Sequence, residues 1–433
     1  MSDAAPAAAV APETKEQPKA FLTPGTEELK QCRLSILHYS LARAKSRLAA
    51  EKSERELDNQ DASGVRAAAR SARVARLSKL SAFSSEIGDA RPLSSLSFSP
   101  CSTRLATASW SGLSKVWTLM PQTRLGWELK GHAGNVSDIA WNPTNTGGLA
   151  SCGTDGAVML WNVPVEAGTS NASGVATAAA ADSMSDVAPS SSHVATSLDS
   201  STALPPPLIP TLTPLATLKG HTDRCSRLAF HPSGSWLAST SFDKTFRLWD
   251  VVTQKEILAQ PGHAEATYAL AFHPDGSLLC TGDLGGIGLL WDLRTGKSVV
   301  SLRAHAKQLL AADFHPGGTL LATASDDHTI RIWDLRKQST VAGSAQGEGG
   351  SLYTIGAHSS LISNVRWEPR EGLYLLSSSY DATAKLWDGK SFNLVKTLAG
   401  HEGKVMRAEI ANNGAFIATS AYDRTWKLWA YED

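Results

Sequence analysis

No run of eighteen apolar residues occurs anywhere in the 433-residue chain, so no helix in it is expected to cross a membrane. Neither sign of charge is in excess. The 41 basic side chains stand against 41 acidic ones, which argues against a protein whose whole surface grips nucleic acid. Cysteine is scarce, and Cys32, Cys101, Cys152, Cys225 and Cys280 show no C-x-x-C spacing. An odd, dispersed set predicts neither a disulfide framework nor a zinc site, and reads as reduced thiols in a cytosolic or nuclear protein. The opening MSDAAPAAAVAPETKEQPKA lacks both a basic start and an unbroken apolar stretch, so it is not read as a secretory signal. Also missing are H-E-x-x-H, G-x-S-x-G and G-x-x-x-x-G-K-[ST]. No catalytic, cofactor-binding or metal-ligating residue is assigned, and the chain is not expected to be an enzyme.

What the chain has is repetition. Seven tryptophans close similar short runs: Trp117, Trp161, Trp249, Trp291, Trp333, Trp387 and Trp429. Six of them follow, by 28 or 29 residues, a histidine preceded by Gly or Ala: His132, His221, His263, His305, His358 and His401. Ten residues before each tryptophan stands Ser or Thr. Six residues before five of them stands Asp: Asp155, Asp243, Asp327, Asp381 and Asp423. These types form one buried network, in which Asp accepts from a His ring, the His meets a strand hydroxyl, and the hydroxyl meets the indole N–H. A period near 40 residues with this signature resembles the WD-repeat β-propeller, an all-β ring of four-stranded blades. Seven tryptophans predict seven blades.

Trp429 ends its repeat with only four residues to follow. The outer strand of the last blade must therefore come from before the first repeat, closing the ring and removing exposed edges. LSAFSSEI, just ahead of Gly88-Asp89, is the expected closing strand, with Phe83 inward and Ile87 compensating for Glu86 through a bulge. Blade 1 departs from the pattern, with Asp89 in the His position and Ser111 in the Asp position, and is expected to rely more on packing and closure. In blade 4, Gly285 stands in the Asp position. Its neighbours Gly282, Gly286 and Gly288 mark a turn rather than a phosphate loop, since no helix follows.

The expected domains are an Ala/Pro-rich disordered leader (1–25), a helical segment (26–80) and the propeller (81–433). A disordered insertion (164–210) and a shorter flexible loop, QSTVAGSAQGEGG, interrupt the propeller between strands c and d. In the helical segment Thr26 is a predicted N-cap, and Leu29, Cys32, Ile36, Tyr39 or Leu41, and Leu48 recur at helical spacing. A second helix, from about Ser63 to Leu80, carries Arg66, Arg70, Arg73, Arg76 and Lys79. Residues 26–80 hold twelve basic and seven acidic side chains. The basic helix is a candidate contact for RNA phosphate or an acidic partner, or else an ordinary solvated face.

The residue before each turn Asp lies at the tip of a b–c loop. Trp110, Phe242, Tyr380 and Tyr422 are the aromatic ones, and Arg224, Lys244, Lys404 and Arg424 share that face. Aromatics beside cations are the composition of an interface hot spot; the alternative is that the rings pack on neighbouring blades. His231, His273 and His315 recur in FHP at 42-residue intervals, spaced by architecture rather than gathered around a metal.

The stretches SEIGDARPLSSLSFSPCSTRLATASWSGLSKVW, YDATAKLW, LAGHEGKVM with YDRTWKLW, and LHYSLARAKSRL resemble the pre-mRNA-processing factor 4 family from about Leu29 to the C-terminus. The resemblance implies a nuclear, non-enzymatic scaffold of the spliceosomal U4/U6 and U4/U6.U5 particles, supporting pre-mRNA splicing. It implies the companion pre-mRNA-processing factor 3 as partner, with U4/U6 small nuclear RNA contacted directly or through protein. Family members usually carry a longer N-terminal region with a motif that contacts a cyclophilin; this chain begins after it, which weighs against cyclophilin binding. The alternative reading is a WD-repeat adaptor outside splicing, such as a ubiquitin-ligase substrate receptor.

Overall fold

The computed structural model describes residues 26–60, 64–120, 122–164, 209–303, 305–337 and 350–431. The expected leader, nearly all of the 164–210 insertion and most of the QSTVAGSAQGEGG loop lie outside them. Seven sheets form the ring, each running from an inner strand a to an outer strand d. Blade 2 is typical, with a at Val136–Trp141, b at Gly148–Gly153, c at Ala157–Asn162 and d at Ala216–Lys219. Apolar residues on facing sheets pack between blades. Trp127, Trp141 and Trp161, for example, share one cluster between blades 1 and 2. Thr211–Leu212 adds a fifth, parallel strand outside strand d of blade 1.

Leu80–Ile87 is the outer strand of blade 7, paired antiparallel with Thr425–Tyr431. The ring therefore closes as the truncated last repeat demanded. The side-chain assignment differs from expectation. The bulge falls between Ala82 and Ser84, which swings Phe83 outward to 61% exposure and leaves Ile87 74% exposed. Ser84 and Glu86 pair with Leu428 and Trp426, and Leu80 alone anchors the strand in the core.

The predicted network is present in blades 2, 3, 5, 6 and 7. In blade 2 the Trp161 indole donates to Ser151 Oγ (2.8 Å), His132 Nε2 meets the same hydroxyl (2.8 Å), and His132 Nδ1 faces Asp155 (3.0 Å). His221–Asp243, His305–Asp327, His358–Asp381 and His401–Asp423 repeat it, as do the indoles of Trp249, Trp333, Trp387 and Trp429. Blade 4 is complete as well. Asp283, two residues before Gly285, accepts from His263 Nδ1 at 3.1 Å and from the Gly285 N–H at 3.0 Å. Gly286, at φ 82°, takes the left-handed turn position, where a Cβ would meet the Lys307 carbonyl. Blade 1 inverts the polarity rather than losing it. Ser111 Oγ donates to buried Asp89, Lys115 lies 3.4 Å away, and Trp117 still bonds Thr107 at 3.0 Å.

Helix α1 (Glu27–Gln60) is capped by Thr26 Oγ1, which accepts from the Leu29 N–H at 3.2 Å. Leu29, Cys32 and Ile36 bury against Phe246, Leu248 and Trp291 of blades 3 and 4. Burial pushes the Cys32 thiol up to about 12. Tyr39 continues the inward face, 5.3 Å from His231. Arg47, not Leu48, completes it, forking onto Asp275 and the Gly317 carbonyl (2.9 Å). Leu41 and Leu48 point away and are 54% and 55% exposed.

The FHP histidines latch each blade to the next, His231 onto the Gly276 carbonyl (3.0 Å) and His273 onto the Gly318 carbonyl (2.9 Å). Asn142 does the same for blade 2, on the Gly234 carbonyl at 2.8 Å. Burial pushes His231 down to about 4 and depresses His273, His315, His358 and His401 as well. An unfolded histidine titrates near pH 6.5, so below that the unfolded chain binds more protons than the folded one and stability falls. Thermal melts should be level from pH 8 to 7 and decline from about pH 6.5 toward 4, with His231 alone accounting for about 3 kcal/mol. His231→Gln should flatten part of that decline; an unchanged slope would contradict the assignment.

Candidate interaction face

The b–c turns are built alike. The residue before each turn Asp, or its equivalent, donates its N–H to the loop between strands d and a: Trp110 to Pro92 (3.0 Å), Phe242 to Arg224 (3.1 Å), Tyr380 to Leu361 (3.1 Å) and Tyr422 to Lys404 (2.8 Å). The residue after the Asp is left-handed. Glycine fills that place in three blades, but Lys244, His328, Ala382 and Arg424 hold φ between 66° and 69°. Side chains rarely adopt that backbone, so the turn fixes where Lys244 and Arg424 project.

In every blade the a–b pairing shifts register at the start of strand a, leaving one bulged residue: Ser94, Ser137, Ser226, Tyr268, Leu310, Ser363 and Met406. All seven line one cavity of about 560 Å³ at the mouth of the central channel. A bulge re-aims a side chain that regular pleating would bury in the sheet. Three of the serines also stitch blades together, Ser94 donating to the Val136 carbonyl (2.6 Å), Ser226 to Thr267 (2.8 Å) and Ser363 to Val405 (2.7 Å).

Around this mouth stand Trp110, Phe242 and Tyr380, and among the described residues the charged ones lining it are Arg224 and Arg227. Arg224 lies over the Phe242 ring at 3.7 Å, Arg227 over Tyr268 at 5.3 Å and Lys404 over Tyr380 at 4.9 Å. Burial, with Tyr268 close by, pushes the Tyr380 hydroxyl up to about 12. Tyr422 packs edge-on against Trp110 at 5.5 Å, yet stays 47% exposed. The aromatic tips therefore pack on one another or on a neighbouring blade, while Trp110 and Tyr422 stay exposed. Lys244 is tied to the Ala264 carbonyl at 2.7 Å, and Arg424 is exposed at the outer corner beside Tyr422.

The basic helix α2 (Val65–Arg76) sits elsewhere. Arg70 lies 3.6 Å from Asp388, Arg73 2.8 Å from Glu371, and Arg76 over Tyr431 at 4.9 Å. These three arginines are engaged with blades 6 and 7, because carboxylates and a ring lie beneath them. Arg66 also has an interaction partner, and Lys79 is exposed in the helical turn that follows α2.

Sequence reasoning missed Tyr268, Arg227 and a ring of charges deeper in the channel. Asp138, Arg227, Asp313, Arg366, Arg407 and Glu409 all come from a strands and line a cavity of about 380 Å³. Arg407 pairs with Asp138 at 2.6 Å, and Arg366 reaches Asp313 (3.4 Å) and Glu409 (3.6 Å). Charged residues interrupting otherwise apolar a strands were the available signal. Among the described residues no group of His, Cys, Asp or Glu gathers to hold a metal ion, and no helix is long and apolar enough to cross a membrane.

The family model for the WD domain, G-beta repeat, matches residues 83–118, 123–162, 212–250, 254–292, 296–334, 349–388 and 392–430. The U4/U6 small nuclear ribonucleoprotein PRP4 of Saccharomyces cerevisiae is 40% identical over 409 residues, covering 93% of this chain and 75% of that protein. The human U4/U6 small nuclear ribonucleoprotein Prp4 is 39% identical over 132 residues, 30% of this chain and 24% of its own length. A PRP4-like protein of Arabidopsis thaliana is 35% identical over 159 residues, 37% of this chain and 27% of its own. With the repeat model matched in all seven blades and the yeast protein aligned along 93% of this chain, the chain belongs to the WD-repeat family and, within it, to the U4/U6 small nuclear ribonucleoprotein Prp4 proteins.

Proposed function

We propose that this chain is a non-enzymatic scaffold of the U4/U6 and U4/U6.U5 small nuclear ribonucleoproteins, acting in the nucleus in pre-mRNA splicing. The observation that carries the reading is the match to the yeast protein along 93% of the chain. WD-repeat propellers work in general through their loops and rims. The mouth described above offers aromatic and cationic anchors on a rigid frame, the usual make-up of a protein-binding hot spot. Pre-mRNA-processing factor 3 is the protein partner on this reading, with U4/U6 RNA held directly or through protein.

Affinity purification of the tagged chain from nuclear extract, with RNA sequencing, should enrich U4 and U6 RNA together with that partner. Their absence, or a ubiquitin-ligase scaffold in their place, would sink the reading. Tyr422→Ala with Arg424→Ala should weaken recovery by roughly 2 kcal/mol of binding while changing the melting temperature little. Asp423→Ala should do the reverse, lowering stability because His401 and the Thr425 hydroxyl lose their acceptor. Undiminished recovery with the double variant would move the interface off this corner of the rim.

A further inference from the structure

Helix α1 uses one face to bind the propeller and leaves another uncovered. Leu34, Leu41 and Leu48 recur every seven residues and are 47%, 54% and 55% exposed. Half-buried Leu37 and Ala44 fall between them, giving apolar residues at alternating steps of three and four. Scattered exposed leucines are ordinary, but this spacing is the seam of a coiled coil, in which each side chain expects a partner helix. Leu34 to Leu48 spans about 21 Å at ~1.5 Å per residue, enough for four turns of a partner.

The seam presents exposed basic side chains to solvent on one side. His38, Lys45 and Lys52 follow Leu34, Leu41 and Leu48 by four residues, and all three are exposed. The opposite flank turns into the propeller at Ser40 and Arg47. No Asp or Glu occurs from Leu29 to Ala50. At the N-terminal end the seam opens into a cavity of about 390 Å³ rimmed by Lys30, Arg33 and Arg294, where the buried Arg33 Nε has no hydrogen-bond partner among the described residues. Coiled-coil flanks choose partners by charge, and this flank and cavity rim are basic.

We propose that the outward face of α1 is a docking seam for an amphipathic α-helix of a partner protein, apolar along one stripe and acidic beside it. The seam lies apart from the channel mouth and does not depend on the splicing reading, since a helix from any assembly would satisfy it.

The test places a photoreactive p-benzoylphenylalanine at Leu41 of the full chain in cells, with the crosslinked peptide sequenced by mass spectrometry. The expected product is a protein segment with apolar residues at three- and four-residue steps and net negative charge. A synthetic peptide of that segment should bind the purified chain. Leu41→Asp with Leu48→Asp should weaken it at least about tenfold, and Lys45→Glu with Lys52→Glu by roughly a similar factor. The charge-reversed pair leaves the leucines intact, so it still decides the matter if the aspartate pair loosens the helix. Crosslinks to RNA, to a second copy of this chain or to a segment without that pattern would overturn the proposal, as would no crosslink at all. Failure to recover U4 and U6 would bear only on the splicing reading.

Discussion

A chain cut to begin at Ala90 is expected to melt on the order of ten degrees below one cut to begin at Leu77, an effect of about 5 kcal/mol. Both lack α1 and α2, so the difference isolates the closing strand. That strand pairs from Leu80 with Tyr431 to Ile87 with Thr425, and the Gly88 N–H continues the ladder to the Arg424 carbonyl at 2.9 Å. Removing it uncovers Trp429, which packs in one cluster with Leu77 and Leu80. Burial of each leucine alone stabilises by about 2 kcal/mol. The deletion also takes Asp89 from Ser111 and Lys115, so the seam with blade 1 loses its polar tie. Calorimetry of the two chains decides it; equal melting temperatures would sink the closing-strand assignment.

Asp138→Ala should cost about 3–5 kcal/mol, the usual effect of stranding a buried charge. Asp138 is wholly buried on strand a of blade 2. It accepts from Ser95 of blade 1 (2.6 Å), Arg407 of blade 7 (2.6 Å) and the Leu228 N–H of blade 3 (3.0 Å). Burial alone would raise its pKa, but the Arg407 and Arg227 charges with these hydrogen bonds hold it below the usual carboxylate value. Without the carboxylate, buried Arg407 loses the counter-ion it is paired with and keeps only the field of Glu409, so denaturant unfolding should shift to a much lower midpoint. Asp138→Asn keeps the size and some of the acceptors and should fall between. A variant matching the wild type would mean that the buried charges are not coupled.

The blade count and the ring closure were legible because they follow from side chains that recur at fixed offsets in the sequence. The network in blade 4 was misread because the rule fixed Asp at one offset. Asp283 reaches His263 from two residues earlier, since the turn brings both positions within reach of the ring. Phe83 and Ile87 were misplaced for a different reason. A bulge was expected near Glu86, but it falls at residue 83 and reverses which side chains face inward, and nothing in LSAFSSEI marks that position. The same limit hid the floor of the mouth. Ser94, Tyr268 and Met406 share no residue type, only a backbone irregularity. The tips of the b–c turns could be found because a recurring Asp marks the neighbouring position in five blades, and its fixed offset from Trp places the other two. On α1, helical spacing identified Leu29, Cys32 and Ile36, but Arg47 took the last inward place because Asp275 waits there to bind it.

The pairing that closes the ring joins the first strand of the propeller to be made with the last. Lys427 reaches Ser85 across 342 residues of chain. At ribosomal speeds of about 5–20 residues per second, the closing strand waits roughly 20 to 70 seconds for its partner. Throughout that interval it presents unpaired backbone, and Leu80 has no core to enter. Six blades can assemble in order as they emerge, while the seventh is settled only once Thr425–Tyr431 has emerged to pair with the closing strand. Nascent chains stalled before Thr425 would therefore be open rings, sticky at both ends, and dependent on chaperones in a way that the finished protein is not.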